Sequence, residues 1–375
     1  MEPDRHSMDK EATNPTEIPV RWMREDEKGV VRALADRAFP LGNFFSPPPH
    51  TLVAERSGRL VGAVVPELFV LPDKQRGGVI VWLMTAPEVR GCGVGGRLVE
   101  TALGFFKEHG CREVFACVEG FNTSSGRIFA ACGFTILSPG EQFRRYGLTG
   151  TLALWLKTHR LGDVGNFLWA HPGATELDSS LLQWWVGAFV SALIFLLAMW
   201  RGGWIGLLPS TLLGGTVMLV TLYGLRQVAM VLMARFQGVP VRHRMWASGF
   251  ILSAGVAATL GLFFPVPGSV YPRGSAWRYR DLVPKLGLTA FAGALVVLVF
   301  TWAAWALLRF GGPPAEIATW LRAAYAGGLS LTLLDMLVPF FPFVSFNGRR
   351  VWDWNRPIWG ALAVAALILM FAGWL

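Results

Sequence analysis

Hydrophobic and polar positions follow two different rhythms along this chain. Between Ile18 and Lys157 the apolar residues come in short bursts, some alternating and some at helical spacing. Thr51–Arg56 and Arg59–Leu71 predict two strands, joined at Ser57-Gly58 as in a tight hairpin. Val79–Met84 is short, apolar and β-branched, as a buried central strand is. Gly95–His109 repeats helically through Leu98, Val99, Leu103 and Phe106 and stops at Gly110. Arg112–Val118 predicts another strand, Ser124–Cys132 a short helix closed by Gly133, and Gly150–Leu156 a final strand. The sum is a mixed α/β domain over residues 18–158. Residues 1–17 are polar and of mixed charge, which predicts a disordered tail, and 159–181 read as a polar linker. Beyond it the short rhythm gives way to long apolar runs: Leu182–Trp200, Ile205–Met233, Trp246–Val266, Leu288–Leu308, Ala318–Phe341 and Ile358–Leu375. A bilayer core of about 30 Å needs about 20 helical residues. Residues 182–375 therefore predict an all-α polytopic membrane domain.

Composition sharpens that division. Hydrophobic residues make up 53% of the 375 and charged residues 16%, too few charges for a purely cytosolic globule or a disordered chain. Residues 1–180 hold 20 Lys/Arg against 21 Asp/Glu, whereas residues 181–375 hold 14 against 4. The formal net charge of +9 thus belongs to the apolar half, which also carries 13 of the 17 Trp. Basic residues at helix ends set membrane orientation and meet anionic lipid. A nucleic-acid binder would instead cluster them on the soluble half, so no nucleic-acid partner is expected. The four cysteines, Cys92, Cys111, Cys117 and Cys132, lack metal-type spacing and read as reduced cytosolic thiols.

The chemistry-bearing segment is Met84-Thr85-Ala86-Pro87-Glu88-Val89-Arg90-Gly91-Cys92-Gly93-Val94-Gly95-Gly96-Arg97, between a strand and a helix. Glycines there let the backbone turn tightly and point amides outward. With the positive end of the next helix they suit a phosphate or pyrophosphate. No G-K-[ST] follows, so this is not a P-loop. The run Arg90-x-x-Gly93-x-Gly95 resembles the acyl-CoA pyrophosphate loop of the GNAT acetyltransferase superfamily. Asn122-x-x-Ser125-x-x-x-Phe129-x-x-x-Gly133-Phe134 resembles its second motif, in the same order. The resemblance implies a GNAT-like domain with a V-shaped split in its sheet and acetyl-CoA in the cleft as co-substrate. Met84 and Thr85 would hold the pantetheine, and the amides of Val89, Arg90, Gly91, Cys92, Gly93, Val94 and Gly95 the pyrophosphate. Asn122, Ser125 and Phe129 would line the thiol end.

At the catalytic positions the chain departs from the family pattern. Many relatives place a Tyr acid where Phe129 stands, and two positions that often carry a Glu base are Gly77 and Cys117 here. Glu119 and Glu67 are the nearest carboxylates that could serve as base, and Tyr146 is the substitute acid.

In the apolar half, Arg226-Gln227-Val228-Ala229-Met230, Pro267-Gly268-Ser269-Val270-Tyr271 and Phe346-Asn347-Gly348-Arg349-Arg350 resemble the site-2 protease family of intramembrane zinc proteases. That family has His-Glu-x-x-His where Arg226 to Met230 stand and Asp-Gly where Asn347-Gly348 stand. Arg226, Gln227, Met230 and Asn347 cannot together hold zinc or activate water, so no zinc and no protease activity are expected. The basic loops divide evenly if all six runs span. If Trp246–Val266 enters and leaves on one side, most bases share the cytoplasmic face, which favours five spans and one re-entrant segment. Arg226 and Asp335 then lie at membrane depth and are expected to pair. The leading reading is a multi-pass membrane-tethered N-acyltransferase with a cytoplasmic N-terminal domain, moving an acetyl group from acetyl-CoA to an amine on a protein, peptide or small molecule. The alternative is a non-catalytic acyl-CoA sensor coupled to a pseudoprotease that binds membrane segments.

Overall fold

The computed structural model describes residues 18–38, 45–71, 73–173, 179–203, 209–274, 276–340 and 343–373. The expected tail at residues 1–17 lies outside them. The chain forms two compact units. The first comprises Met1–Ala116 with Ile128–Thr135 and Trp169–Ala174; the second comprises Cys117–Arg127, Ile136–Leu168 and Thr175–Leu375.

A seven-stranded mixed sheet runs β1 (Val20–Trp22), β2 (Leu52–Arg56), β3 (Arg59–Val70), β4 (Arg76–Thr85), β5 (Glu113–Glu119), β7 (Asn166–His171) and β6 (Thr135–Ile136), in that spatial order. The β2–β3 hairpin closes as its two-residue loop predicts, with Ser57 at φ 53° and Gly58 at φ 71°. The register of β3 on β4 shifts at Val65/Pro66, which is where a strand proline is tolerated. β4 and β5 pair in parallel from Gly77↔Glu113 to Ile80↔Ala116, and β4 continues to Thr85. Helix α1 (Lys28–Ala38) buries Val31, Leu34 and Ala35, and helix α2 (Val94–Glu108) buries Leu98, Val99, Ala102 and Phe106 on one helical face. A Cβ at Gly78 of β4 would enter the Phe106 ring, so that glycine seats α2 on the sheet. Burying a Leu or Phe side chain fully contributes about 1.5–3 kcal/mol, so α2 is held mainly by this face.

The structure corrects two readings of the pattern. Residues 150–156 are not a strand: they end helix α4 (Pro139–Lys157), in which Thr151, Leu154 and Trp155 are buried while Leu152 and Leu156 are exposed. The alternation of leucines arises because this helix is apolar on two faces. The last long strand is β7, inside the stretch that reads as linker. Helix α3 (Thr123–Ala131) connects β5 to β6 and stops at Gly133, at φ 81°.

The C-terminal region is helical. It contains α5 (Ser180–Arg201), α6 (Pro209–Phe236), α7 (Gly249–Leu260), α8 (Tyr279–Phe310), α9 (Ala315–Met336), α10 (Asn347–Trp354) and α11 (Arg356–Ala372). A small two-stranded antiparallel sheet, β8 (Val241–Arg244) with β9 (Ser269–Pro272), brackets α7 in the sequence. Helices α5, α6 and α8 are long and apolar enough to cross a membrane, while α7 and α11 are shorter apolar helices. Small residues let the helices approach: a Cβ at Gly293 would meet Met230, one at Gly328 would meet Thr301, and one at Gly287 would meet Trp354. Ala188, Phe195, Leu219, Tyr223, Val297 and Leu331 form a buried core among α5, α6, α8 and α9.

Candidate functional site

The turn from β4 into α2 is built from hydrogen bonds that fold it back on itself. Ala86 N donates to Val61 O at 2.8 Å, a single 3-10 turn spans Pro87–Val89, and Cys92 N donates to Val89 O at 3.2 Å. Val89 and Val94 are buried and anchor the two ends, leaving Arg90, Gly91, Cys92 and Gly93 exposed. Gly91 at φ 87° and Gly93 at φ 81° occupy left-handed backbone, which a side chain would strain by about 1–2 kcal/mol. Gly93 caps α2, whose first intrahelical bond is Arg97 N to Gly93 O at 3.0 Å. The amides of Val94, Gly95 and Gly96 therefore precede the helical ladder, at its positive end.

Gly95 has a different reason: a Cβ there would fall 2.6 Å from Ile128 Cδ1, so its absence lets α2 approach α3. Sequence reasoning missed Gly62 of β3, where a Cβ would crowd Leu98, Val94 and Met84 O. It can be recognised only once β3 and α2 are known to be layered. Met84 and Thr85 pair with Ala63 and Gly62 at the end of β4. Phe129 is buried, edge-on to Phe134 with centroids 5.1 Å apart, and has no proton to give. Glu67 sits half-buried in β3 opposite Val79.

The remaining predicted residues lie in the second unit. Asn122 caps α3, its Oδ1 accepting from Ser125 N at 3.2 Å. Glu119, at the end of β5, accepts from Ser345 Oγ at 2.7 Å and from Phe121 N at 2.9 Å. Burial pushes its carboxyl up from the ordinary value, and these hydrogen bonds and Arg350 oppose that shift. Tyr146 is half-buried in α4, one residue before Gly147 breaks the helix at φ 65°. Cys117, in a position where a family base is often found, is pushed up to about 12 by burial, so it stays a thiol.

A second constellation joins residues far apart in the chain. Arg226 and Asp335, expected to pair, do so bidentately at 3.1 Å for both contacts, each 2% exposed. Arg226 Nη1 also donates to Gly268 O at 3.2 Å. Asn347 donates to Asp335 through its backbone at 2.9 Å and through Nδ2 at 2.6 Å, and its Nδ2 lies 3.9 Å from Met230 Sδ. Arg350 continues the chain, donating to Asn347 Oδ1 at 2.6 Å, Ser269 Oγ at 3.2 Å and Ser345 O at 3.0 Å, with its guanidinium 4.2 Å from the Phe121 ring centroid. Gln227 turns away to His243 Nδ1 at 3.0 Å. Arg226, Met230 and Asn347 thus meet, and Gln227 faces another partner. Among the described residues no group of three or more His, Cys, Asp or Glu could hold a metal ion.

Comparison with known proteins bears on the first constellation. Residues 16–134 match the acetyltransferase (GNAT) family. Similar solved structures include N-acetylglutamate synthase from Neisseria gonorrhoeae, complexed with coenzyme A and N-acetyl-glutamate. It is 20% identical with a TM-score of 0.32, over 41% of this chain and 34% of that one, so this chain spans about a third of that relative's length. Ribosomal-protein-alanine N-acetyltransferase from Brucella melitensis is 16% identical with a TM-score of 0.30, over 40% of this chain and 98% of that one. IAA acetyltransferase from Bacillus cereus is 16% identical with a TM-score of 0.30, over 41% and 97%. No curated protein matches the sequence. Over residues 16–134, then, this chain is similar to the acetyltransferase (GNAT) family.

Proposed function

We propose that this protein is a membrane-tethered N-acyltransferase that moves an acetyl group from acetyl-CoA to an amine. The observation that carries the reading is the turn into α2, where Gly91 and Gly93 are left-handed and the amides of Val94, Gly95 and Gly96 open the helix. The amides of Val89, Arg90 and Cys92, expected to join them, donate instead to Ala86 O, Pro87 O and Val89 O within the turn. Amides that open a helix suit a diphosphate. The backbone of Met84 and Thr85 would hold the pantetheine, and Asn122, Ser125 and Phe129 would border the thiol end.

In the transfer, the amine nitrogen attacks the thioester carbon, the C–S bond breaks, and the departing thiolate takes up a proton. Glu119, at the end of β5, is the base we favour over Glu67, because burial raises its carboxyl above the ordinary value, the direction that makes a carboxylate a better base. Tyr146 is the candidate acid. Helices α5, α6 and α8 support membrane tethering, and the brevity of α7 (12 residues) suits a segment that enters and leaves on one side. With the basic loops on the cytoplasmic face, the acetyltransferase domain meets intracellular acetyl-CoA.

A second reading is favoured by the Arg226–Asp335–Asn347 centre. Its saturated hydrogen bonding fits a protease shell without metal chemistry, which an acyl-CoA-sensing domain would control. Titration calorimetry of the full chain in lipid nanodiscs with acetyl-CoA tests the shared premise, and absence of heat overturns both readings. Release of free thiol with a panel of peptide and small amines separates them. Turnover supports the transferase, and tight binding without turnover supports the sensor.

A further inference from the structure

Helix α4 has a face that nothing in the acyltransferase reading uses. After the break at Gly147, Leu148, Leu152 and Leu156 project at i, i+4 and i+8 and are 65%, 37% and 60% exposed, with Leu161 beyond the helix end at 47%. The opposite face is fully occupied. Thr151, Leu154 and Trp155 are buried, and Trp155 packs with Met245, Ala247, Phe250 and Ile251 at the start of α7. Apolar residues on both faces of one helix need two apolar surroundings, and the packed core supplies one.

Three further observations say what supplies the other. First, the stripe continues onto the exposed apolar surface of the helical region. A Cβ at Gly162 would lie 3.8 Å from Leu252 of α7, itself exposed. Second, the charges suit an anionic surface: α4 carries Arg144, Arg145 and Lys157, and its one acid, Glu141, is buried and bound to both arginines. Third, the stretch from Leu148 to Leu156 holds no charge but is too short to span a bilayer.

We propose that the second half of α4 is an in-plane membrane helix, with Leu148, Leu152, Leu156 and Leu161 lying among phospholipid acyl chains and Lys157 among anionic headgroups. This rests on the membrane reading of α5, α6 and α8. It assigns the helix between β6 and β7 to the bilayer surface and commits the face to lipid, not to a second copy of the chain.

Photo-crosslinking of the full chain tests it. p-Benzoylphenylalanine replaces Leu152, Val299 of α8 or Val70 of β3, one at a time, in vesicles of phosphatidylethanolamine and phosphatidylglycerol. All three positions are exposed. Lipid adducts at positions 152 and 299, and none at 70, are the expected result. Adducts at 299 but not at 152, or crosslinking from 152 to another protein chain, overturn the proposal while leaving the spans intact. No lipid adduct at 299 overturns the membrane reading and the proposal with it.

Discussion

At the scale of single residues, the glycines of the β4–α2 turn separate into three physical classes with different expected outcomes. Gly93 needs left-handed backbone, so Gly93→Ala should weaken acetyl-CoA binding about tenfold, equivalent to about 1.4 kcal/mol. Gly96 is helical with open space where a Cβ would go, so Gly96→Ala should leave binding within about threefold and stabilise the helix by about 0.5–1 kcal/mol. Gly95→Val should act through Ile128, and Ile128→Ala should partly restore it. Calorimetry on the three variants checks the ordering, and equal effects at Gly93 and Gly96 would contradict it.

Glu119 carries a pH signature of its own. Its raised carboxyl is lowered by the Ser345 hydroxyl, so Ser345→Ala should raise it further and move the acid limb of the kcat/KM profile to higher pH. An unmoved limb would remove Glu119 from the reaction. The stability effect has a definite sign as well. A carboxyl raised on folding contributes stability that is present below its unfolded pKa and lost as pH rises through the folded one. Glu119→Gln, which cannot ionise, should therefore lose less in Tm than the parent as pH rises above the ordinary carboxylate range.

Between elements, the Arg226–Asp335 pair joins α6 to α9, and Asn347 ties the start of α10 to the same carboxylate. A buried charge left alone is costlier than a buried pair. Arg226→Leu and Asp335→Leu should each cost about 3–5 kcal/mol, and the double variant less than either. Thermal unfolding in detergent reads this, and additive losses would show that the two charges are not coupled. The pairing could be anticipated because both residues sit in apolar runs, where a lone charge is expensive. The grouping of the Arg226, Gly268 and Asn347 fragments was also legible, but not which atoms bond: the Arg226 contact to Gly268 O and the Asn347 contacts to Asp335 depend on packing. Helix α4 illustrates the opposite failure. Its leucines alternate like a strand, and only the burial of Thr151, Leu154 and Trp155 shows a helix packed on one side.

For the whole molecule, the helical region predicts integral membrane behaviour. The full chain should stay with the membrane fraction through an alkaline carbonate wash, and its release would contradict spans at α5, α6 and α8. Cys92 is exposed in the β4–α2 turn, so a membrane-impermeant thiol reagent should label it only after cells are opened if that domain faces the cytoplasm. Labelling in intact cells would reverse the orientation.

Local chemistry was readable from the chain alone: the hairpin at Ser57-Gly58, the run of β4, the glycine turn, the span of α2 and the apolar helices each depend on backbone preference or on a repeat within a few residues. Their signals are short-range, and short-range energies are written in adjacent positions. Tertiary structure alone decided what approaches what. It set Gly95 against Ile128 and Gly78 under Phe106, brought Ser345 to Glu119 across 226 positions, and turned a leucine alternation into the outer face of a helix. Those outcomes depend on which surfaces fold together to escape water, and that choice is made by the packed chain as a whole, not by any segment of it.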